Sequence, residues 1–301
     1  MRSVLLVAHT EREPIVEQAR IAIERFTAAG IEVRMLPDEA AALGTDAVTV
    51  RDPADAAVGA EIVLVLGGDG TFLRAAEFAR PARVPMIGVN LGHVGFLAEA
   101  EPNDLDSTID AVIAQRYGVE QRVTVDAQVI VDGAVLAEAW ALNEVSLERT
   151  NRERMLELAI AVDERPLLRF GCDGVLCATP TGSTAYAFSA GGPIMWPNVD
   201  ALLLVPNAAH ALFARAVVVA PTSVVDIDLV SQGHDAVLSC DGRRSLEVPP
   251  GARVRVRRGA EPVLIAPVGG WNFADRLVNK FQLPVRSFRE AATPRADGET
   301  P

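Results

Sequence analysis

The segment Val63–Glu77, VLVLGGDGTFLRAAE, constrains the fold more than any other part of the chain. An apolar run leads straight into Gly67-Gly68-Asp69-Gly70-Thr71, and a helical pattern follows. That reads as a buried strand, a glycine turn and a helix start. Glycines let backbone amides close on a phosphate, and a helix N-terminus adds a favourable dipole there. A carboxylate at the centre is electrostatically wrong for simple phosphate binding. It fits an acid that takes a proton from an attacking hydroxyl, or one that helps to hold a metal ion. The competing reading is a tight strand-to-helix turn with Asp69 as its cap.

The surroundings of this segment point to an α/β domain. Strand patterns at 4–7, 31–36, 62–66 and 84–89 alternate with helical patterns at 15–26, 72–79 and 104–115, the last capped by Asn103. Residues 44–59 give a weak signal, read as a loop with a short helix. Alternating strands and helices predict a doubly wound parallel sheet. Near Val119 the pattern changes. Val123–Val131 alternates, and Asp132-Gly133 follows as a hairpin turn. Strand signal continues over 135–147 and 156–162, then, after a turn at Asp163–Pro166, at 167–170, 216–219, 224–230, 236–239 and 252–256. Many short strands joined by turns predict a mainly antiparallel β domain. Phe273, Leu277 and Phe281 fall at helical steps, and this final helix is expected to return to the first domain. The divisions are 1–118 for the α/β domain, 119–269 for the β-rich domain, 270–290 for the returning segment and 291–301 for a disordered tail.

Composition removes several classes of partner. The net charge of −12 argues against nucleic acid and against an anionic membrane. No apolar run reaches the roughly 18 residues of a membrane span. The start, MRSVLLVAHT, reads as a first strand and not as a signal peptide. Three cysteines, Cys172, Cys177 and Cys240, fit buried reduced thiols and a cytoplasmic location. Taken as one strand, Cys172 and Cys177 would face opposite ways, which disfavours a shared metal site.

Further motifs follow in order. Asn90–Leu97, NLGHVGFL, is punctuated by glycines. Asn143-Glu144 sits within a β segment, and Asp173-Gly174 comes next. Then Thr179–Pro193 reads TPTGSTAYAFSAGGP. Thr181–Thr184 offers hydroxyls and a glycine for hydrogen bonds to amide, ribose or phosphate oxygens, and Tyr186 adds an aromatic face with a phenol. GGDG after a buried strand resembles a kinase superfamily whose members phosphorylate hydroxyls. These motifs in this order are similar to those of bacterial NAD kinases, from the first strand to about Val285.

That resemblance implies roles for individual residues. Asp69 would accept the proton of the adenosine ribose 2′-hydroxyl of NAD, giving NADP. Gly67, Gly68, Gly70 and Thr71 would hold the donor phosphates of ATP or polyphosphate. The dinucleotide would be contacted by Asp69, Gly70 and Arg74, by Asn143 and Glu144 at a ribose, and by Arg154 and Asp173. Thr184, Ala185, Tyr186, Ser189 and Arg243 complete that set. A divalent cation, Mg²⁺, would arrive with the donor, and the assembly would be a homo-oligomer, a dimer or a tetramer. Gly171 departs from relatives that carry a large basic residue there. The more open pocket edge suggests looser choice of substrate or donor, including NADH or polyphosphate. Two alternatives stay open on these residues: a lipid or sugar-phosphate kinase, and a dinucleotide-binding regulator without catalysis.

Overall fold

The computed structural model describes residues 1–45, 48–92, 95–98, 100, 104–150, 154–230, 236–267 and 272–285. The expected cap Asn103, residue His93 and the tail 291–301 lie outside the described residues.

The first domain runs β1 (Ser3–Ala8), α1 (Glu13–Ala28), β2 (Glu32–Met35), α2 (Pro37–Leu43), β3 (Thr49–Val50), β4 (Ile62–Leu66), α3 (Asp69–Ala82), β5 (Met86–Val89), α4 (Leu105–Ile113) and β6 (Glu120–Arg122). The β-rich part follows with β7 (Val125–Val131), β8 (Ala134–Ala141), β9 (Glu144–Arg149), β10 (Leu156–Val162), β11 (Arg165–Cys172) and β12 (Gly174–Ala178). A short 3₁₀ turn at Thr181–Thr184 and α5 (Tyr186–Ser189) come next. The chain continues through β13 (Leu202–Asn207), β14 (Val217–Val219), β15 (Val225–Leu229), β16 (Ala236–Cys240), β17 (Arg244–Val248), β18 (Arg253–Arg258), β19 (Val263–Ile265) and α6 (Phe273–Phe281).

The first sheet has the order β3-β2-β1-β4-β5-β19-β6. Its first five strands are parallel, with helices on both faces. Central strands of such a sheet are covered on both sides, so β1 from Val4 onward and the whole of β4 are apolar rather than alternating. Strand order reverses between β1 and β4, which pair from Val4–Ile62 to Ala8–Leu66. A cleft opens outside the carboxyl ends of strands at such a reversal. The chain re-enters this sheet at β19, ahead of the last helix.

Two antiparallel sheets form the rest, β11-β10-β15-β18-β7-β8 and β14-β13-β12-β9-β16-β17. Their inner faces share one core that includes Val129, Leu147, Leu158, Val175, Ile227 and Leu238. The hairpin turn at Asp132-Gly133 forms as expected, with φ 51° and 81°.

Several elements differ from the sequence expectation. Helix α3 begins at Asp69, not Phe72, and residues 44–59 hold the edge strand β3 and turns, while the short helix precedes them as α2. The expected strand 135–147 is two strands, broken at Leu142-Asn143. Strands β6, β12, β13, β17 and β19 went unread. Cys172 and Cys177 lie on separate strands, β11 and β12, so the opposite-face argument does not apply. Both share the core between the sheets with Cys240, and Val145 is the cross-strand neighbour of Cys177 on one side and Cys240 on the other. Burial pushes these thiols up, to about 12, about 12 and about 11 for Cys172, Cys177 and Cys240, so they stay protonated and unreactive.

The final helix packs between the domains. Phe96, from the loop after β5, contacts Phe273 and Phe281 at ring separations of 5.9 Å each. On the other side Phe188 meets Phe281 at 4.8 Å and Trp196 meets Phe273 at 5.0 Å. A second tie joins α3 to the β-rich part: the guanidiniums of Arg80 and Arg244 each lie 4.4 Å from the Trp140 ring centroid. Among the described residues no helix is long and apolar enough to cross a membrane.

Candidate active site

A cleft of about 620 Å³ lies where β1 and β4 end. Its wall includes His9 to Arg12 after β1 and Gly68 to Thr71 at the start of α3. The first N–H groups of a helix have no acceptor within it, so this end of α3 offers donors and positive potential. In a chain of net charge −12, four cations line the cleft: Arg12, Arg74, Arg243 and Lys280. Glu11 and Asp69 are its carboxylates. Gly67 lies behind the wall, buried, with its N–H donating to the Val89 carbonyl at 3.1 Å.

Asp69 is the first residue of α3 but does not cap it. The N-cap is Gly68, and no side-chain cap bond forms. Instead the carboxylate accepts from two amides of the loop after β5, Phe96 N–H at Oδ2 and Leu97 N–H at Oδ1, both at 3.0 Å. Both oxygens are thereby fixed in direction while keeping lone pairs toward the cleft. The cap reading of Asp69 is thus replaced by a carboxylate oriented from a distant segment.

Arg74 reaches back across the sheet end. Its guanidinium donates to the Ala8 carbonyl at 3.1 Å and pairs with Glu39. Glu39 is buried and also accepts from the Ala8 N–H at 3.0 Å. Burial raises its pKa against the pull of Arg74. Sequence reading missed Glu39, which looks like any acid in the first turn of a short helix.

The Asn143-Glu144 pair stands at the break between β8 and β9. The tight turn after β16 places Asp241 and Gly242 at φ 55° and 65°. From there the Asp241 carboxylate accepts the Leu142 N–H at 2.9 Å and the Asn143 N–H at 2.7 Å. The Leu142 carbonyl takes the Thr179 hydroxyl at 2.6 Å, and the Asn143 carbonyl takes the Thr179 N–H at 2.8 Å. A Cβ at Gly182 would come under 3.0 Å from that same Asn143 carbonyl, so the Thr-Gly-Ser-Thr turn packs on the pair only as glycine. Asp241 and Thr179 therefore hold open a strand end that would otherwise continue.

Two buried side-chain atoms at this break find no partner among the described residues: Asn143 Oδ1 and Glu144 Oε2. Buried polar atoms are normally bonded, so these point to a ligand or water that completes them. Burial pushes the Glu144 carboxyl up to about 8, with Asp241 adding repulsion and the Tyr186 and Ala187 N–H groups opposing it. Asp241 is raised as well, first by burial.

The remaining expected residues make separate contacts. Tyr186 donates to Glu148 at 2.6 Å and accepts from Asn207 at 2.9 Å. Its phenol is raised to about 12, by burial and then by Glu148. Asp173 pairs with Arg149 at 3.1 Å. Thr184 donates to the Thr181 carbonyl at 3.3 Å, and both line a small hollow with Phe96 and Leu97. The residues whose amides hold Asp69 thus share this hollow with the threonine turn that packs on Asn143. Ala185 is half-buried and Ser189 exposed at the end of α5. Arg243 lines the cleft and donates to Glu77 of α3 at 3.0 Å. Arg154 is exposed ahead of β10, and no bond joins it to this group in the described residues. No group of three or more His, Cys, Asp or Glu is gathered for a metal ion among the described residues.

Comparison with known proteins matches both halves of the chain to one family. Residues 4–117 match the model of the ATP-NAD kinase N-terminal domain, and residues 142–268 that of the C-terminal domain. The chain is 52% identical to an NAD kinase of Thermobifida fusca over 307 aligned positions, covering 99% of this chain and 94% of that one. It is 50% identical to an NAD kinase of Rhodococcus erythropolis, covering 96% of each. Yeast NADH kinase complexed with NADH has a similar fold, with a TM-score of 0.85, 24% identity and 95% and 89% of the two chains covered. An NAD kinase from Archaeoglobus fulgidus in complex with ATP gives 0.70, 23% identity, and 94% and 98%.

Proposed function

Because this chain belongs to the ATP-NAD kinase family and is an NAD kinase, we propose that it transfers the terminal phosphate of ATP to the adenosine ribose 2′-hydroxyl of NAD. The observation that carries the acceptor assignment is the pair of unpartnered buried atoms, Asn143 Oδ1 and Glu144 Oε2. An amide oxygen and a carboxyl side by side suit vicinal ribose hydroxyls. From the Thr181–Thr184 turn, Thr181 and Thr184 are the half-buried hydroxyls left for a ligand, whereas Ser183 is buried, donating to the Pro180 carbonyl at 2.7 Å and accepting from the Met195 N–H at 2.8 Å.

Asp69 takes the 2′-hydroxyl proton as the oxygen bonds to the terminal phosphorus. The bond from that phosphorus to the bridging oxygen breaks, and ADP leaves with the electron pair. Positioning and charge stabilisation supply most of the acceleration in such transfers. The Phe96 and Leu97 amides aim the carboxylate, and the cleft cations offset the phosphate charge of both substrates, with Arg74 on the dinucleotide. A divalent cation, Mg²⁺, fits as a passenger on the donor phosphates, because the described residues gather no carboxylate cage. It would be held by phosphate oxygens with Asp69 or Glu11 at most, and it would neutralise charge on the transferred group.

Polyphosphate is a second donor under this reading, because the cations lining the cleft, Arg12, Arg74, Arg243 and Lys280, suit a chain of phosphates with or without a nucleoside. Tolerance of NADH is the reading for Gly171, which leaves its strand position without a side chain beside Met155 and the Leu156 carbonyl, 3.5 Å and 3.9 Å from where a Cβ would stand. The active form is a homo-oligomer in the cytoplasm. The test is NADP(H) formation with NAD and NADH crossed against ATP and polyphosphate, with sedimentation of the same sample. Transfer to NAD with ATP is expected, and failure of every combination would reject the reading.

A further inference from the structure

Of the 28 lysine and arginine residues in the chain, a single one is lysine, Lys280. It lies at the end of α6 and lines the cleft that holds Asp69, Gly68 and Thr71. Elsewhere the chain uses arginine for its cations. It does so at surface pairs such as Arg25–Asp106, at the Trp140 clamp, and at the other cleft positions Arg12, Arg74 and Arg243. An ammonium at this one place calls for a chemical reason. Guanidinium is a planar fork suited to fixed bidentate partners, whereas ammonium is a compact point charge on a flexible stem. Such a group can follow a phosphate oxygen as charge shifts during transfer.

A basic residue is favoured near any helix C-terminus. That preference explains a cation but not the switch from guanidinium to ammonium. It also leaves unexplained how firmly α6 is fixed beside the reacting group. Asn272 and Asp275 form a capping box at its start. Buried Arg276 donates from Nη1 to the Phe96 carbonyl at 3.0 Å, and the N–H of that same residue holds Asp69. Phe281, the neighbour of Lys280, is packed between Phe96 and Phe188. The helix that presents the lysine is thus anchored to the residue that orients the carboxylate.

We propose that Lys280 is a phosphate contact for the donor, reaching the cleft from α6 while Gly68–Thr71 approach it from α3. Its ligand class is a nucleoside triphosphate or an inorganic polyphosphate, and the contact is to phosphate oxygens. This rests on the cleft being the donor site of the proposed reaction.

The single lysine makes the test selective, since the N-terminal amine is the only other primary amine. Reductive methylation with ¹³C-formaldehyde of the full chain gives one side-chain dimethylamine signal and one N-terminal signal, which serves as an internal control. Saturating ATP, and separately tripolyphosphate, is expected to slow labelling of Lys280 at least about fivefold and to move its signal, while NAD alone leaves both unchanged. In parallel, Lys280→Met is expected to raise KM for ATP about tenfold and to leave KM for NAD within about twofold, with Lys280→Arg recovering part of the loss. Wild-type turnover with unprotected Lys280 and an unchanged KM for ATP would overturn the proposal alone. Absence of any wild-type turnover would instead remove the reading of the cleft on which it rests.

Discussion

A Cβ on Gly95 would stand under 3.0 Å from Oδ1 of Asp69. The loop after β5 can bring its amides onto that carboxylate only because residue 95 has no side chain. The contact couples positions 26 residues apart, the helix start at Asp69 on one side and Gly95 on the other. Gly95→Ala must push the loop or the carboxylate away. We expect kcat to fall by about 10²-fold, the size of effect that a misplacement near 1 Å produces, with the melting temperature lowered only slightly. Steady-state kinetics with thermal melts check this, and a full-activity variant would contradict the arrangement.

Glu39→Gln keeps the shape around Ala8 but removes the charge that draws Arg74 back. Arg74 should then sample other positions at the cleft. We expect KM for NAD to rise about tenfold with kcat within about threefold, because the proposed reading makes Arg74 a dinucleotide contact and not a reacting group. A fall in kcat at constant KM would place Arg74 elsewhere in the cycle.

Glu144 makes the empty protein sensitive to pH. Its folded carboxyl titrates near 8, while an exposed glutamate titrates near about 4.3. Between those values the folded state binds more protons than the unfolded state, so stability falls as pH rises. The contribution is fully present below the unfolded value and is lost as pH passes 8. The melting temperature without ligand should therefore drop from about pH 5 to about pH 8. Glu144→Gln should flatten the decline, and an identical pH slope in wild type and variant would refute the assignment.

Much of this fold is legible in the sequence where one signal dominates. The alternation of strand and helix up to α4, the Asp132-Gly133 hairpin and the apolar stripe of α1, from Ile15 to Phe26, all appear as expected. Strands β12 and β13 escape for a physical reason. They are covered on both faces, so GVLCA and LLLVPN show no alternation, and short apolar runs do not reveal their own periodicity. The break at Leu142-Asn143 is invisible for another reason. It is imposed by Asp241, about a hundred residues away, which captures two N–H groups that a continuous strand would have used. The same holds for Glu39 behind Arg74 and for the Phe96 and Leu97 amides on Asp69. The groups expected to react were read from local motifs. Their supports arise only from tertiary contact.

Asp241→Asn offers a sharp check on that long-range support. One carboxylate oxygen becomes an NH₂ facing an amide N–H, leaving donors opposed in a buried site. We expect a loss of about 1–3 kcal/mol in stability and weaker NAD binding, with the ATP site unaffected. Denaturant melts and calorimetric titration with each ligand separate these effects. An unchanged NAD affinity would show that the backbone at Asn143 does not need Asp241.

The central claim is that Asp69 accepts a proton during transfer. Asp69→Asn preserves size and one acceptor oxygen and removes the base; its NH₂ then faces the Phe96 or the Leu97 N–H, so thermal melts of the variant accompany the kinetics. The decisive measurement pairs calorimetric NAD binding with single-turnover NADP formation in wild type and variant. The account predicts NAD affinity within about threefold and a transfer rate lower by about 10²–10⁴-fold. Transfer at near wild-type rate by the asparagine variant would contradict it.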